Sequence, residues 1–411
     1  MSIVSHRFRG ATFQMQELQV QHKDQETSDA AVQYIARNRS LQHLNLTSSI
    51  ISGPQIIEIL RGTQVSSLSI EFYSETGRTV DFGCLKLEDE PLQLSVLRLN
   101  DVPVNGTAQL LSKCPDLSCL EVVRCEDFAD GDVDGIVAAM LHEPNSAGAS
   151  TAAAGAGGAS RTKELSAGQH LTRLVLSHLV RVHDRGLGVL AKALPHGRLR
   201  HLSLAGCRTI THSGIQQVVS SCGRLISLDL SSIGTLQDAQ TADIVLQQTS
   251  LRELALPPAA ADITFRAMAQ VSTADGSFGR LATLQPRQCV GVQSPTGLLE
   301  LQALLRALPS LKRLEVTWAP GLNDFGVQDI TTASPGLREL VLDKCRRVSD
   351  RGALHALKSI PNLRLLSLRG TGATDAVRAA AKRYAAGSAQ QTSPPPPLVS
   401  PSPGCGCVVI L

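Results

Sequence analysis

Leu337-Arg338-Glu339-Leu340-Val341-Leu342-Asp343-Lys344-Cys345-Arg346-Arg347-Val348-Ser349-Asp350-Arg351-Gly352 is the stretch that decides the fold of this 411-residue chain. Leu340 and Leu342 alternate with Val341, the spacing of a short strand with one buried face. The same pattern stands at Leu199-x-x-Leu202-x-Leu204-x-x-Cys207, and there the following residues change period. Ile215, Val218, Val219 and Cys222 fall at i, i+3, i+4 and i+7, the apolar stripe of an amphipathic helix. Strand spacing that gives way to helix spacing, then begins again, marks a strand–helix repeat.

Aligned on the first residue of Leu-x-x-Leu-x-Leu, units begin at Met15, Leu41, Val65, Leu94, Leu117, Leu171, Leu199, Leu225, Leu251, Leu281, Leu311, Leu337 and Leu363. The step is close to 26 residues, with one of 54 between Leu117 and Leu171. A period of this length describes stacked supersecondary units that share one continuous core. Asp184-Arg185-Gly186, Asp324-Phe325-Gly326 and Asp350-Arg351-Gly352 stand between the halves of their units. The Asp reads as a helix N-cap and the Gly as room for a tight entry.

The units resemble the cysteine-containing leucine-rich repeats of F-box/leucine-rich-repeat proteins. Cys207-Arg208-Thr209-Ile210-Thr211-His212-Ser213-Gly214-Ile215 and Cys345 to Gly352 carry the likeness, with His212 where that family has Asp. Leu179, Ile233, Ala259 and Ala319 replace the Cys in other units, and Pro286 takes a strand Leu position. The likeness runs from about residue 15 to 384. It implies an α/β leucine-rich-repeat solenoid: a right-handed horseshoe of about 13 units, parallel strands concave and helices convex. It also implies substrate recognition, or an adaptor role, in ubiquitin-dependent degradation by an SCF-type cullin ligase. That family's F-box has no counterpart before Met15, so the resemblance reaches only the repeats. A ciliary or cytoskeletal scaffold and a lipid-anchored signalling adaptor are the alternatives.

Composition narrows these readings. Hydrophobic residues are 43% and aromatics 3%, so Leu, Val, Ile and Ala must fill the core. A formal net charge of +3 gives no sign of a nucleic-acid partner. Ten Cys without a signal peptide read as reduced thiols in the cytoplasm. Cys114, Cys119 and Cys125 lie close in sequence, but without a CxxC they read as small buried hydrophobes, not metal ligands. Ser203 near His201 lacks an orienting third group, so no catalytic residue and no cofactor are expected. A monomer is expected.

Residues 1–40 read as an N-terminal capping repeat, 41–142 as the first part of the array and 171–386 as the second. Residues 143–170 hold a Gly/Ala/Ser tract read as a flexible insertion. Residues 387–411 form a Pro/Ser tail ending Gly404-Cys405-Gly406-Cys407-Val408-Val409-Ile410-Leu411. Cys407 lies one residue further from the end than a prenylation box requires. Two readings stand: peripheral membrane attachment by lipidation of Cys407, with Cys405 as a second acylation site, or an unmodified apolar tail, free or docked in a partner's groove. Ser393, Ser400 and Ser402 each precede Pro and are candidate phosphorylation sites, where added charge would weaken adhesion to an anionic membrane.

Outward strand positions are the third, fifth, seventh and eighth of each unit. In the last four units they include Arg287, Arg313, Glu315, Trp318, Glu339, Asp343, Lys344 and Arg369. The single Trp among Arg residues is hot-spot chemistry for a protein partner on the concave face, a cullin-ligase component or a degradation substrate among them. The alternative is a solvated charged face with Trp318 packed on the turn.

Overall fold

The computed structural model describes residues 16–21, 29–47, 51–71, 79–86, 89–141, 170–194 and 198–388. They divide into two compact units. The first comprises the described residues up to Leu174 together with Arg185–Arg198; the second comprises Val175–Asp184 and the described residues from Leu199 on.

The first unit opens β1 (Glu17–Gln21), α1 (Asp29–Ala36), β2 (His43–Thr47), α2 (Gly53–Gly62), β3 (Ser67–Glu71), β4 (Val80–Asp81) and β5 (Val96–Asn100). It continues β6 (Val104–Asn105), α3 (Thr107–Ser112), β7 (Cys119–Val123) and α4 (Asp130–Leu141). β8 (Arg173–Ser177) spans the division between the units, followed by α5 (Asp184–Ala193). The second unit runs β9 (His201–Ser203), α6 (His212–Ser221), β10 (Ser227–Asp229), α7 (Asp238–Leu246), β11 (Glu253–Ala255), α8 (Asp262–Asp275) and β12 (Thr283–Gln285). A 3-10 turn (Val290–Gln293) leads to α9 (Pro295–Arg306), β13 (Arg313–Glu315), α10 (Asp324–Ala333), β14 (Glu339–Val341), α11 (Asp350–Ser359), β15 (Leu365–Ser367) and α12 (Asp375–Ser388).

Each repeat strand begins two residues after the start read from the Leu pattern, from Glu17 after Met15 to Leu365 after Leu363. In the first unit β1, β2, β3, β5 and β7 pair in that order, all parallel. In the second, β9 to β15 pair consecutively, also parallel. The first, fourth and sixth positions are the buried ladder: Leu337, Leu340 and Leu342 are fully buried, as are Leu225, Leu228 and Leu230. One repeat has no partner for that apolar face, so the ladder exists only because neighbours stack.

Two units depart from the pattern. Among the described residues, the repeat at Val65 has no helix. There β4 pairs parallel with β6, and Phe82, Leu85 and Leu92 are buried. Pro91 disfavours helical backbone at Glu90. In the repeat at Leu281, β12 ends at Gln285 as its three-residue neighbours do, but buried Pro286 has no N–H to make the bond to the next repeat that Leu256 N and Val316 N make.

The Asp of Asp-x-Gly is not the N-cap. Asp324 and Asp350 are the first helical residues, and the residue before each does the capping: Asn323 Oδ1 accepts from Gly326 N at 3.1 Å, and Ser349 Oγ from Arg351 N at 3.2 Å. The Asp instead reaches forward to the next repeat. Asp324 accepts from Ser349 N at 2.8 Å and Ser349 Oγ at 2.6 Å. Asp184 does the same to Thr211, at 2.8 and 2.5 Å, and Asp350 to Thr374, at 2.7 and 3.0 Å. The Gly is required by that clasp: a Cβ on Gly352 would stand 2.5 Å from Asp324 Oδ1. The pair therefore acts between repeats, Asp from one and Gly from the next.

Asp324→Ala deletes two bonds at a part-buried junction and should cost about 1–3 kcal/mol in denaturant unfolding. Gly352→Ala should cost at least as much, because its Cβ meets the Asp324 carboxylate. The double variant should be less destabilised than the two losses added together. Simple additivity would mean that the clasp does not exist.

Candidate interaction site

The second unit gathers part of the sequence-derived set into a charged network. Arg313 lies directly opposite Glu339 in the β13–β14 register, and Arg313 Nη1 donates to Glu339 Oε2. Arg313 Nη2 is 3.3 Å from Glu315 Oε2, and Arg287 Nε is 2.8 Å from Glu315 Oε1. Glu315 is only 8% exposed, so it works as the buried bracket that holds two arginines and is not itself presented outward. Burial alone would lower the Arg313 pKa, but the bonds to Glu339 and Glu315 outweigh it and hold the guanidinium above its ordinary value. Thr317 and Val341, also outward by sequence, are buried as well.

Trp318 is 54% exposed, and Lys344 Nζ sits 5.4 Å from its ring centroid, a cation–π contact between successive repeats. Both residues occupy the eighth position and both have left-handed backbone, φ 55° and 64°. The same conformation recurs at Asp101, Arg124, His178, Ser232 and Gln288, each the eighth residue of its unit. Inter-repeat bonds enforce it: Trp318 N donates to Asp343 O at 3.0 Å and Lys344 N to Arg369 O at 2.7 Å. The strain of a bulky left-handed residue is thus held by the ladder and fixes the ring outward. Asp343 serves the next turn, accepting from Ser367 Oγ at 2.7 Å and Arg369 N at 2.8 Å. Arg369 is exposed.

A second cluster, on the first unit, was overlooked by a reading centred on Trp318. Glu121 binds Arg173 Nε at 2.7 Å and Arg98 Nε at 3.1 Å. Burial would raise the Glu121 pKa, but the two arginines hold it below its ordinary value. Asn100 donates to Glu71 at 2.9 Å and accepts from Arg124 at 3.1 Å. The fifth positions Arg98 and Glu121 pair in register, so applying the outward-position rule to these units would have found them.

The repeat cysteines pack at the turn and donate backward. Cys207 Sγ lies 3.2 Å from Leu176 O, Cys289 Sγ 3.2 Å from Pro257 O and Cys345 Sγ 3.4 Å from Val316 O. Burial pushes the Cys345 thiol up to about 11 and those of Cys114 and Cys222 up to about 12. No group of three His, Cys, Asp or Glu suited to a metal occurs among the described residues. Ser203 Oγ bonds Asp229 Oδ2 at 3.2 Å and Ser177 Oγ at 3.1 Å, within a polar row on the strand face. Cys405, Cys407, Ser393, Ser400 and Ser402 lie outside the described residues, as does most of the 143–170 insertion. Among the described residues no helix is long and apolar enough to cross a membrane.

Short parallel strands, a buried Leu ladder and a helix in nearly every repeat define a leucine-rich-repeat protein, an assignment that rests on the chain's own register. No protein-family model matches the chain. Solved structures similar to it include the yeast Rad7 and Elc1 complex, at 14% identity and TM-score 0.44, covering 73% of this chain and 74% of that one. The leucine-rich repeat-containing protein LegL7 of Legionella pneumophila is 13% identical with TM-score 0.45, covering 84% and 97%. A leucine-rich-repeat protein of Leptospira interrogans is 13% identical with TM-score 0.38, covering 87% and 91%.

Two measurements test the geometry. Alkylation of the native protein at mildly alkaline pH should modify exposed Cys84 while Cys114, Cys222 and Cys345 react only after unfolding, as read by peptide mass spectrometry. Trp318→Gly should leave unfolding stability unchanged or raise it by about 1 kcal/mol, because glycine adopts the left-handed backbone without strain. A loss of more than about 2 kcal/mol would place Trp318 in the core and not on a free surface.

Proposed function

We propose that the chain is a non-catalytic protein-recognition module whose contact surface is the outward strand face of the last four repeats. The observation that carries this reading is Trp318: a large ring, half exposed, fixed by its backbone and flanked by Lys344 and the Arg287–Glu315–Arg313–Glu339 network. A rigid aromatic beside pre-ordered arginines binds a partner with little loss of side-chain entropy. Glu315 and Glu339 orient Arg313 and Arg287, Trp318 and Lys344 make the central contact, and Arg369 and Asp343 complete the rim.

The resemblance to F-box/leucine-rich-repeat proteins, carried by Cys207 to Ile215 and Cys345 to Gly352, supports a finer reading. The partner is then a degradation substrate or a cullin-ligase component, and the chain acts as a recognition or adaptor subunit. The alternative is a scaffold in a ciliary or cytoskeletal assembly.

Affinity purification of the chain against Arg313→Ala/Trp318→Ala/Lys344→Ala separates the two. The ligase reading expects a cullin or its adaptor subunit in the wild-type eluate, with a further protein lost at least tenfold in the variant. Cytoskeletal or ciliary proteins without any ligase subunit would support the scaffold. An eluate unchanged by the triple variant would remove the contact surface from this face.

A further inference from the structure

Repeat topology builds a second surface that no local stretch of sequence shows. Each helix of the second unit runs back against its strand, so strand N-termini and helix C-termini share one edge. The second residue of each repeat lies there, and its main chain is bonded to the next: Arg364 N donates to Arg338 O at 2.6 Å, Arg338 N to Lys312 O at 2.7 Å, and Ala282 N to Arg252 O at 2.8 Å. Arg252, Lys312, Arg338 and Arg364 occupy this position. Where it is Ile226 or Ala282, Arg224 or Arg280 stands two residues earlier. All six cations are exposed, and none is paired with a carboxylate among the described residues.

Adjacent strands lie about 4.8 Å apart, so the row extends for about 24 Å. Of the carboxylates beside it, Glu339 is held by Arg313 and Asp275 accepts from Ser277 N at 2.8 Å, so exposed Glu253, next to Arg252, offsets one charge of the six. Asp238, Asp262, Asp324 and Asp350 all begin helices and therefore lie on the opposite edge. The modest net charge of +3 thus conceals a unit with one basic edge.

We propose that this basic edge docks on an anionic membrane surface. A row of separate, unpaired cations needs no pocket to bind lipid headgroups, and each adds its own attraction to such a surface. A single-stranded nucleic acid would require aromatic platforms, but exposed Trp318 and Phe325 lie at the other ends of their strand and helix. The row is also free of exposed aromatic residues, so the attachment is electrostatic and salt-sensitive. This surface is separate from the strand face, so either assignment can fail alone.

The test is co-sedimentation of the full chain, produced in bacteria without lipid-modifying enzymes, with phosphatidylcholine vesicles with and without phosphatidylserine. Binding should require phosphatidylserine and fall as salt rises. Arg252→Glu/Lys312→Glu/Arg338→Glu/Arg364→Glu should lose at least about tenfold in affinity. Arg208→Glu/Arg346→Glu/Arg347→Glu/Arg351→Glu, an equal charge change on the other edge, should retain binding. Should the first variant misfold by circular dichroism, Arg338→Gln/Arg364→Gln reads the same loss at smaller amplitude. Absence of phosphatidylserine-dependent binding, or equal loss in both quadruple variants, would overturn the proposal. Edge-dependent binding of a single-stranded RNA oligonucleotide without vesicle binding would replace the membrane by nucleic acid.

Discussion

Registry of one repeat on the next is the constraint from which everything else in this protein follows. A strand of three to five residues and a helix of about three turns cannot close a core alone. Stacking supplies it, through the buried Leu positions, the parallel backbone ladder and the clasp of Asp324 on Ser349. The clasp places a carboxylate at a helix start, where the charge also suits the free N–H groups. It simultaneously forbids a side chain on the glycine of the following unit.

The same registry writes the surface. Residues 23 to 30 apart in sequence become neighbours about 4.8 Å apart, so any position repeated with one chemistry becomes a column. The eighth position yields a line of left-handed residues in which Trp318 and Lys344 stack. The third, fifth and seventh positions yield the Arg–Glu brackets of both units. The second position yields the basic edge. Partner choice in such a protein depends on a handful of outward residues, while the ladder beneath remains common to the architecture.

Legibility in the sequence followed the range of the interaction. The phase of each strand was readable because apolar alternation is local, and so was the helix stripe at Ile215, Val218, Val219 and Cys222. For the repeat at Val65, whose described residues hold no helix, Pro91 is the local signal. The role of Asp324 was misread because a residue at a helix start looks like a cap, whereas its acceptors are filled by the next repeat. Glu315 was placed outward by alternation, which is true of its direction, but Arg313 of its own strand and Arg287 of the preceding repeat cover it.

By itself the sequence determined repeat length, strand position and the identity of the buried ladder, because period and hydrophobicity are properties of one unit. Tertiary structure alone decided which outward side chains meet, which acids are occupied, and that arginines and a lysine scattered from Arg224 to Arg364 lie along one edge. Those outcomes depend on the stacking of separate units, and contacts across about 26 residues leave no mark on the local pattern.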